Sequence, residues 1–196
     1  GNGIGRIRNM ISFIIQLKFY LQKLMAIRKF DVVIASSTYP LDIYPARMLK
    51  KKSGTKLVFE VHDLWPLSPK ELGNIPAWHP YIMLMQKAEN DAYRFCDKVV
   101  SILPCAKTHM VEHGLHPDKF VHIPNGISMD EWEQESKIMP LEHKDIIMGL
   151  KKTGQFVVGY TGSHGIANSL HTLLEAAELC KKDKVAFIMV GKGPEK

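Results

Sequence analysis

Cysteine is scarce in this chain, with Cys96, Cys105 and Cys180 alone among 196 residues. An odd, scattered set of three excludes a disulfide framework and a Cys-x-x-Cys metal site, and a reducing cytoplasmic compartment is expected. No leader with a small-residue cleavage site opens the chain. The most apolar run, residues 10–17, lies between Arg8 and Lys18, far short of the roughly 20 residues a span needs, so no bilayer crossing is expected. A G-x-S-x-G elbow, a Walker loop and the dinucleotide fingerprint G-x-G-x-x-G are also missing. Acidic residues are nearly absent from the first quarter: residues 1–56 hold eleven Lys and Arg against Asp31 and Asp42, a local charge of +9, while the remainder carries −3 of the overall +6. A field segregated in this way suits an anionic partner for one end of the molecule, or a plainly solvated helix face.

What is present is an ordinary globular composition, 45% hydrophobic and 23% charged, in a length that suits one domain and part of a second. Apolar residues at three- and four-residue spacing (Met10, Ile14, Leu17, Leu21, Leu24) predict a long helix over residues 9–28. Short β-branched runs then alternate with helical patterns: strands at 31–37, 56–61, 98–103 and 120–123, helices at 41–52, 81–95 and 105–113. This order predicts an α/β domain with a parallel sheet built from right-handed crossovers. Residues 128–154 are charged and irregular and read as a linker with a short helix. A strand at 156–160, a helix at 170–182 and a strand at 185–190 open a new unit, and two strands with one helix enclose no core. The chain is therefore expected to be a fragment, cut at both ends.

Two places have the look of sites. His62 and Asp63 directly follow the strand KLVFEV, at the carboxyl edge where open α/β sheets place ligands. An imidazole there shuttles protons near neutral pH, and an adjacent carboxylate orients it or works separately; a loop-capping Asp63 with His62 packed beside Trp65 is the structural alternative. Gly162 and Gly165 fall between a strand and a helix, where glycine lets backbone approach a phosphate and helix amides from about Asn168 face the anion. Ser163 and His164 add donors, and a simple tight turn explains the same residues. Two motifs are set aside. His109-Met110-Val111-Glu112-His113 matches H-x-x-E-H, but His113 closes a helix before Gly114 and no third ligand is evident. Gly1-Asn2-Gly3-Ile4-Gly5 follows no strand and so lacks the context of a nucleotide loop.

Taken in order, FEVHDLWPLSPKELG, YRFCDKVVSILP, KFVHIPNGI and VVGYTGSHGIANSLHTLLEAAEL resemble the retaining glycosyltransferases of family 4, in the branch of bacterial amino-sugar or fucosamine transferases that build capsule and O-antigen. The resemblance spans residues 31–190. It implies the two-domain GT-B fold, with 1–127 an incomplete acceptor-side Rossmann-like domain, 128–154 a linker and 155–196 the beginning of the nucleotide-sugar domain. It places His62 beside the donor sugar, where many relatives read Arg-Asp rather than His-Asp. Asp63 and Trp65 then shape the acceptor cleft, Asn125 lies in the crossing segment as a substrate-binding residue, and Gly162, Ser163, His164 and Gly165 lie beneath the donor diphosphate. The Arg and Lys that many members carry after this loop are not apparent, and the family's two glutamates eight apart fall beyond Lys196.

The reaction implied is transfer of a sugar from a nucleoside diphosphate donor to an acceptor hydroxyl with retention, without metal or cofactor, the acceptor being a saccharide or lipid-linked saccharide. A fragment without the glutamates is expected to be inactive alone. The basic helix, residues 6–29, is expected to rest on anionic headgroups at the inner face of the membrane, as a peripheral contact. No nucleic-acid partner is expected, because the basic segment lacks interleaved exposed aromatics. A nucleotide-sugar 2-epimerase of the same fold and a non-catalytic flavodoxin-like binding module are the alternatives.

Overall fold

A computed structural model describes residues 4–134 and 139–196; residues 1–3 of the opening glycine-rich run lie outside them. The described chain divides into two units, Gly1–Gly126 and Ile127–Lys196.

The first unit opens with α1 (Ile4–Ile27). It begins five residues earlier than the 9–28 read from periodicity, because Ile7 extends the same stripe through Met10, Ile14, Leu17, Leu21 and Met25. The strands are β1 (Val32–Ala35), β2 (Lys56–Val61), β3 (Lys98–Ser101) and β4 (Phe120–His122). They form one parallel sheet in the order β1-β2-β3-β4, each pair joined through a helical crossover, as strand–helix alternation requires. A 3-10 turn at Pro40–Asp42 leads into α2 (Ile43–Ser53). Gly54 stops α2 in the left-handed conformation at φ 71°, its N–H donating to the Lys50 carbonyl, which glycine adopts without Cβ penalty. The Pro- and Trp-rich loop contains a short α3 (Leu67–Glu71) that periodicity missed; α4 (Pro80–Phe95) and α5 (Lys107–Glu112) follow.

Strand alternation sorts the sheet into two faces. In β2, Leu57, Phe59 and Val61 are buried and join Ile43, Ala46, Met85, Ala88, Tyr93, Val99 and Met110 in one core. The edge-on Phe59–Tyr93 pair, with centroids 6.0 Å apart, contributes about 1 kcal/mol beyond its buried area. Asp97 ties the start of the sheet together: its carboxylate accepts from the Leu57 N–H at 2.7 Å and pairs with Lys50 at 2.9 Å. Partial burial works against that charge, yet the amide and the ammonium hold its carboxyl below the ordinary value. The opposite face carries Ile34, Val58, Val100, Ile102 and Ile123 around a hollow of about 270 Å³, with Val32, Ile34 and Ile123 more than half exposed.

The apolar character of α1 extends further than the short run of residues 10–17. Its segment Gly5–Ile27 is long and apolar enough to cross a membrane, with 6% of the apolar window buried. Lys18 and Lys23 lower the average of the segment but leave it high enough for that length, and Ile11, Phe13, Ile15, Phe19, Tyr20 and Ile27 stand exposed.

In the second unit the segment read as a linker holds two helices, α6 (Met129–Glu133) and α7 (Leu141–Lys152), and α7 packs on β5 (Phe156–Thr161). A 3-10 turn (Ile166–Asn168) precedes α8 (Leu170–Leu179), and β6 (Val185–Val190) pairs with β5 in parallel. Residues 135–138 lie outside the described ones.

Candidate functional site

In the first unit the site forms where β1 and β2 end. Ala35 is level with Phe59 in the parallel register, so the next residues, Ser36 and Glu60, lie side by side. His62 stands two positions beyond Glu60, on the same side of the strand. Its Nε2 is 3.1 Å from the Ser36 hydroxyl oxygen and 3.7 Å from Glu60 Oε2. The Ser36 hydroxyl donates to or accepts from Nε2 according to the ring's tautomer, and the Glu60 carboxylate lies just beyond hydrogen-bond distance. The imidazole is 43% exposed, reachable by a substrate.

Asp63 faces another way. With Ser37, Trp65, Glu89 and Tyr93 it lines a cleft of about 10 Å³, room for about one water. The structure thus separates the two halves of the His-Asp pair: the neighbours that fix His62 are Ser36 and Glu60, and Asp63 belongs with Trp65. The Trp65 ring meets Tyr81 edge-on at 6.4 Å and 85°, and the Arg6 guanidinium sits 6.0 Å from its centroid. The first turn of α1 therefore borders this cleft. Asn125 lies on the open sheet face, in the hollow that Glu60 also lines; Glu60 borders both spaces.

Beneath Ser37 lies Asp42, 7% exposed. Burial pushes its carboxyl up to about 6, against a hydrogen bond from the Ser37 side chain that favours the charge. Sequence reasoning missed Ser36, Glu60 and Asp42. The first two carried a signal in strand alternation: Glu60 two before His62, and Ser36 ending the neighbouring strand. Asp42 carried none, since its burial depends on how α1, α2 and α4 close over it.

The second unit holds the loop Gly162-Ser163-His164-Gly165. The Gly162 and His164 N–H groups donate to the Val190 and Lys192 carbonyls, each at 3.0 Å, so these two amides serve the fold rather than an anion. The Ser163 carbonyl accepts from Tyr160 Oη at 2.9 Å and from the Asn168 side chain at 2.7 Å. Asn168 is thus turned into the loop, and the α-helix starts two residues later than the anion-facing amides were expected. His164 is 5% exposed, and among the described residues its Nε2 has no hydrogen-bond partner. The loop packs against Gly191 and Gly193: a Cβ on Gly191 would collide with the Gly162 carbonyl and lie 2.9 Å from the His164 ring, and one on Gly193 would strike the His164 backbone. These two glycines, read only as a tail, shape the loop.

Residues 2–131 match the model of Glycosyltransferase Family 4. The chain is 26% identical over 168 residues to the probable glycosyltransferase WbjE of Pseudomonas aeruginosa, covering 85% of this chain and 40% of that protein. Its fold is similar to that of Anabaena Alr3699/HepE. Against the complex with UDP-glucose the TM-score is 0.56 at 22% identity, covering 83% of this chain and 40% of that one. Against the complex with UDP it is 0.62 at 18% identity, covering 93% and 44%. The chain spans about two fifths of the length of these relatives.

Proposed function

The chain belongs to glycosyltransferase family 4, and from that premise we propose that it supplies the acceptor-side domain and the opening of the donor-side domain of a retaining glycosyltransferase. The donor is a nucleoside diphosphate sugar, and the acceptor a saccharide, lipid-linked, of a surface polysaccharide such as capsule or O-antigen. The observation that carries this reading is the His62 imidazole at the carboxyl edge of β2, held by Ser36 and Glu60. The partly exposed imidazole is the group that hydrogen-bonds a sugar hydroxyl of the substrate and orients it. The cleft itself admits only about one water, but Asp63 is exposed at its mouth and Trp65 partly exposed, so they offer a pyranose outside it a carboxylate and an aromatic face. In the other unit, the exposed Ser163 hydroxyl and the Gly165 backbone are the groups left to meet a diphosphate, as donors that stabilise the leaving group. That Alr3699/HepE binds UDP and UDP-glucose on the same fold supports a nucleotide-sugar donor.

The helix α1 supports a membrane-facing acceptor. Its Ile7–Met25 stripe packs toward the core, while Arg8, Ser12, Gln16, Phe19 and Lys23 form an exposed ridge at three- and four-residue spacing, flanked by Phe13, Ile15 and Tyr20. A cationic ridge between apolar flanks fits a helix lying in the headgroup layer better than one spanning the bilayer.

The test uses the full-length protein containing this chain, UDP-sugars and a lipid-linked saccharide. Transfer with the anomeric configuration retained, reduced about 100-fold by His62→Ala, is expected. Conversion of the nucleotide sugar without acceptor would point to a 2-epimerase. Absence of any turnover or nucleotide-sugar binding would point to a binding module.

A further inference from the structure

The H-x-x-E-H motif was set aside because it had no third ligand, and the structure supplies one. We propose that Glu89 of α4, with His109 on α5 and His113 just after it, forms a divalent-cation site of the zinc class that ties α4 to the α5 segment. The three residues offer one carboxylate oxygen and two ring nitrogens, all within 4.8 Å of one another. Zinc bonds of 2.0–2.1 Å in a tetrahedron place ligand atoms ~3.3 Å apart, and Glu89 Oε1 stands 3.4 Å from His109 Nε2.

The surroundings are those of a prepared ligand set. Glu89 is 2% exposed; Oε1 accepts from the Tyr93 hydroxyl at 2.8 Å and Oε2 from the Gln86 side-chain amide at 2.7 Å. Such outer partners orient metal-binding carboxylates and histidines. His113 Nδ1 is 2.8 Å from the His109 carbonyl. A carbonyl only accepts, so Nδ1 carries the proton and Nε2 keeps the lone pair a metal needs. The two rings, one helical turn apart, lie 4.1 Å between centroids, which brings both nitrogens to the same side. Carboxylate and imidazole together suit zinc rather than calcium or magnesium, which take oxygen sets.

The ion has no part in sugar transfer. It fastens α4 to α5, and Glu89 also borders the cleft of Asp63 and Trp65, so occupancy stiffens one wall of that cleft.

The test is calorimetric titration of the tag-free full-length protein containing this chain with zinc chloride, repeated on His113→Gln, a partly exposed position at a helix end. His116→Gln and Cys105→Ser are controls, removing ligand types outside the cluster. One zinc per chain is expected, weakened about tenfold or more in His113→Gln and unchanged in both controls. A second readout is cobalt absorption in the chain and in Glu89→Gln: a tetrahedral spectrum is expected in the first and its loss in the second. No stoichiometric uptake by the chain, equal uptake by His113→Gln, or loss in either control would overturn the assignment.

Discussion

The Ser36 hydroxyl and His62 Nε2 lie 3.1 Å apart, joining the ends of two neighbouring parallel strands through one side-chain contact. In the full-length enzyme Ser36→Ala should lower kcat about fivefold, the equivalent of one hydrogen bond of about 1 kcal/mol, and leave the donor KM unchanged. Ser36→Thr, which keeps the hydroxyl, should restore most of the rate. Steady-state kinetics of the two variants measures this; equal losses would show that the hydroxyl is not the positioning group.

Asp42 makes stability fall with rising pH. Its folded pKa of about 6 lies above the ordinary 3.8, so between these values the folded chain holds a proton that the unfolded chain releases. Stability is fully present below about pH 4 and is lost as pH climbs through 6. The cost of the buried charge at pH 7 is about 1–3 kcal/mol. Asp42→Asn should therefore be more stable than the parent at pH 7 by that amount and show little advantage at pH 4, read by urea unfolding at the two pH values.

The exposed ridge of α1 predicts binding to vesicles that depends on charge. Sedimentation with liposomes containing anionic lipid should retain the chain, neutral liposomes should retain much less, and Arg8→Glu with Lys23→Glu should abolish the difference. Each basic residue near the surface contributes about 1 kcal/mol. Equal partitioning into both vesicle types would refute the interfacial placement.

Two glycines of the second unit should respond in opposite directions to alanine. Gly191→Ala forces a methyl group into the Gly162 carbonyl and should destabilise that unit by about 1–3 kcal/mol. Gly149, inside α7 with nothing within 4 Å of its added Cβ, should gain about 0.5–1 kcal/mol on the same change. Thermal unfolding of the two variants makes the comparison.

The strands and most helices were legible because each carries a clean period: KLVFEV alternates, and the α4 residues Ile82, Met85, Ala88 and Ala92 repeat at three and four. Short elements escaped it. One turn of α3 has no period to read, and the charged stretch 128–154, read as a linker with a short helix, holds the longer α7, to which Ile146 and Ile147 give an apolar side. The position of His62 is legible from the strand that precedes it; its partners are harder to read, because Glu60 lies two residues before it and Ser36 one strand over, and neither adjoins it in sequence. Glu89 was beyond the reach of sequence, since a separation of 20 residues from His109 acquires meaning only when α4 and α5 are laid side by side.

The alternation of β2 has a further consequence for how this gene tolerates change. Leu57, Phe59 and Val61 hold the helices, while Glu60 and His62 point to the other side. Cohesion and chemistry are thus written on alternate letters of one short word. A substitution edits one letter, but a single-residue deletion within β2 transposes the two texts, turning Glu60 toward the core and Phe59 toward solvent. In-frame codon deletions there should be eliminated under selection for a folded product alone, with no demand for activity, whereas deletions in the exposed loop at residues 73–79 should survive it.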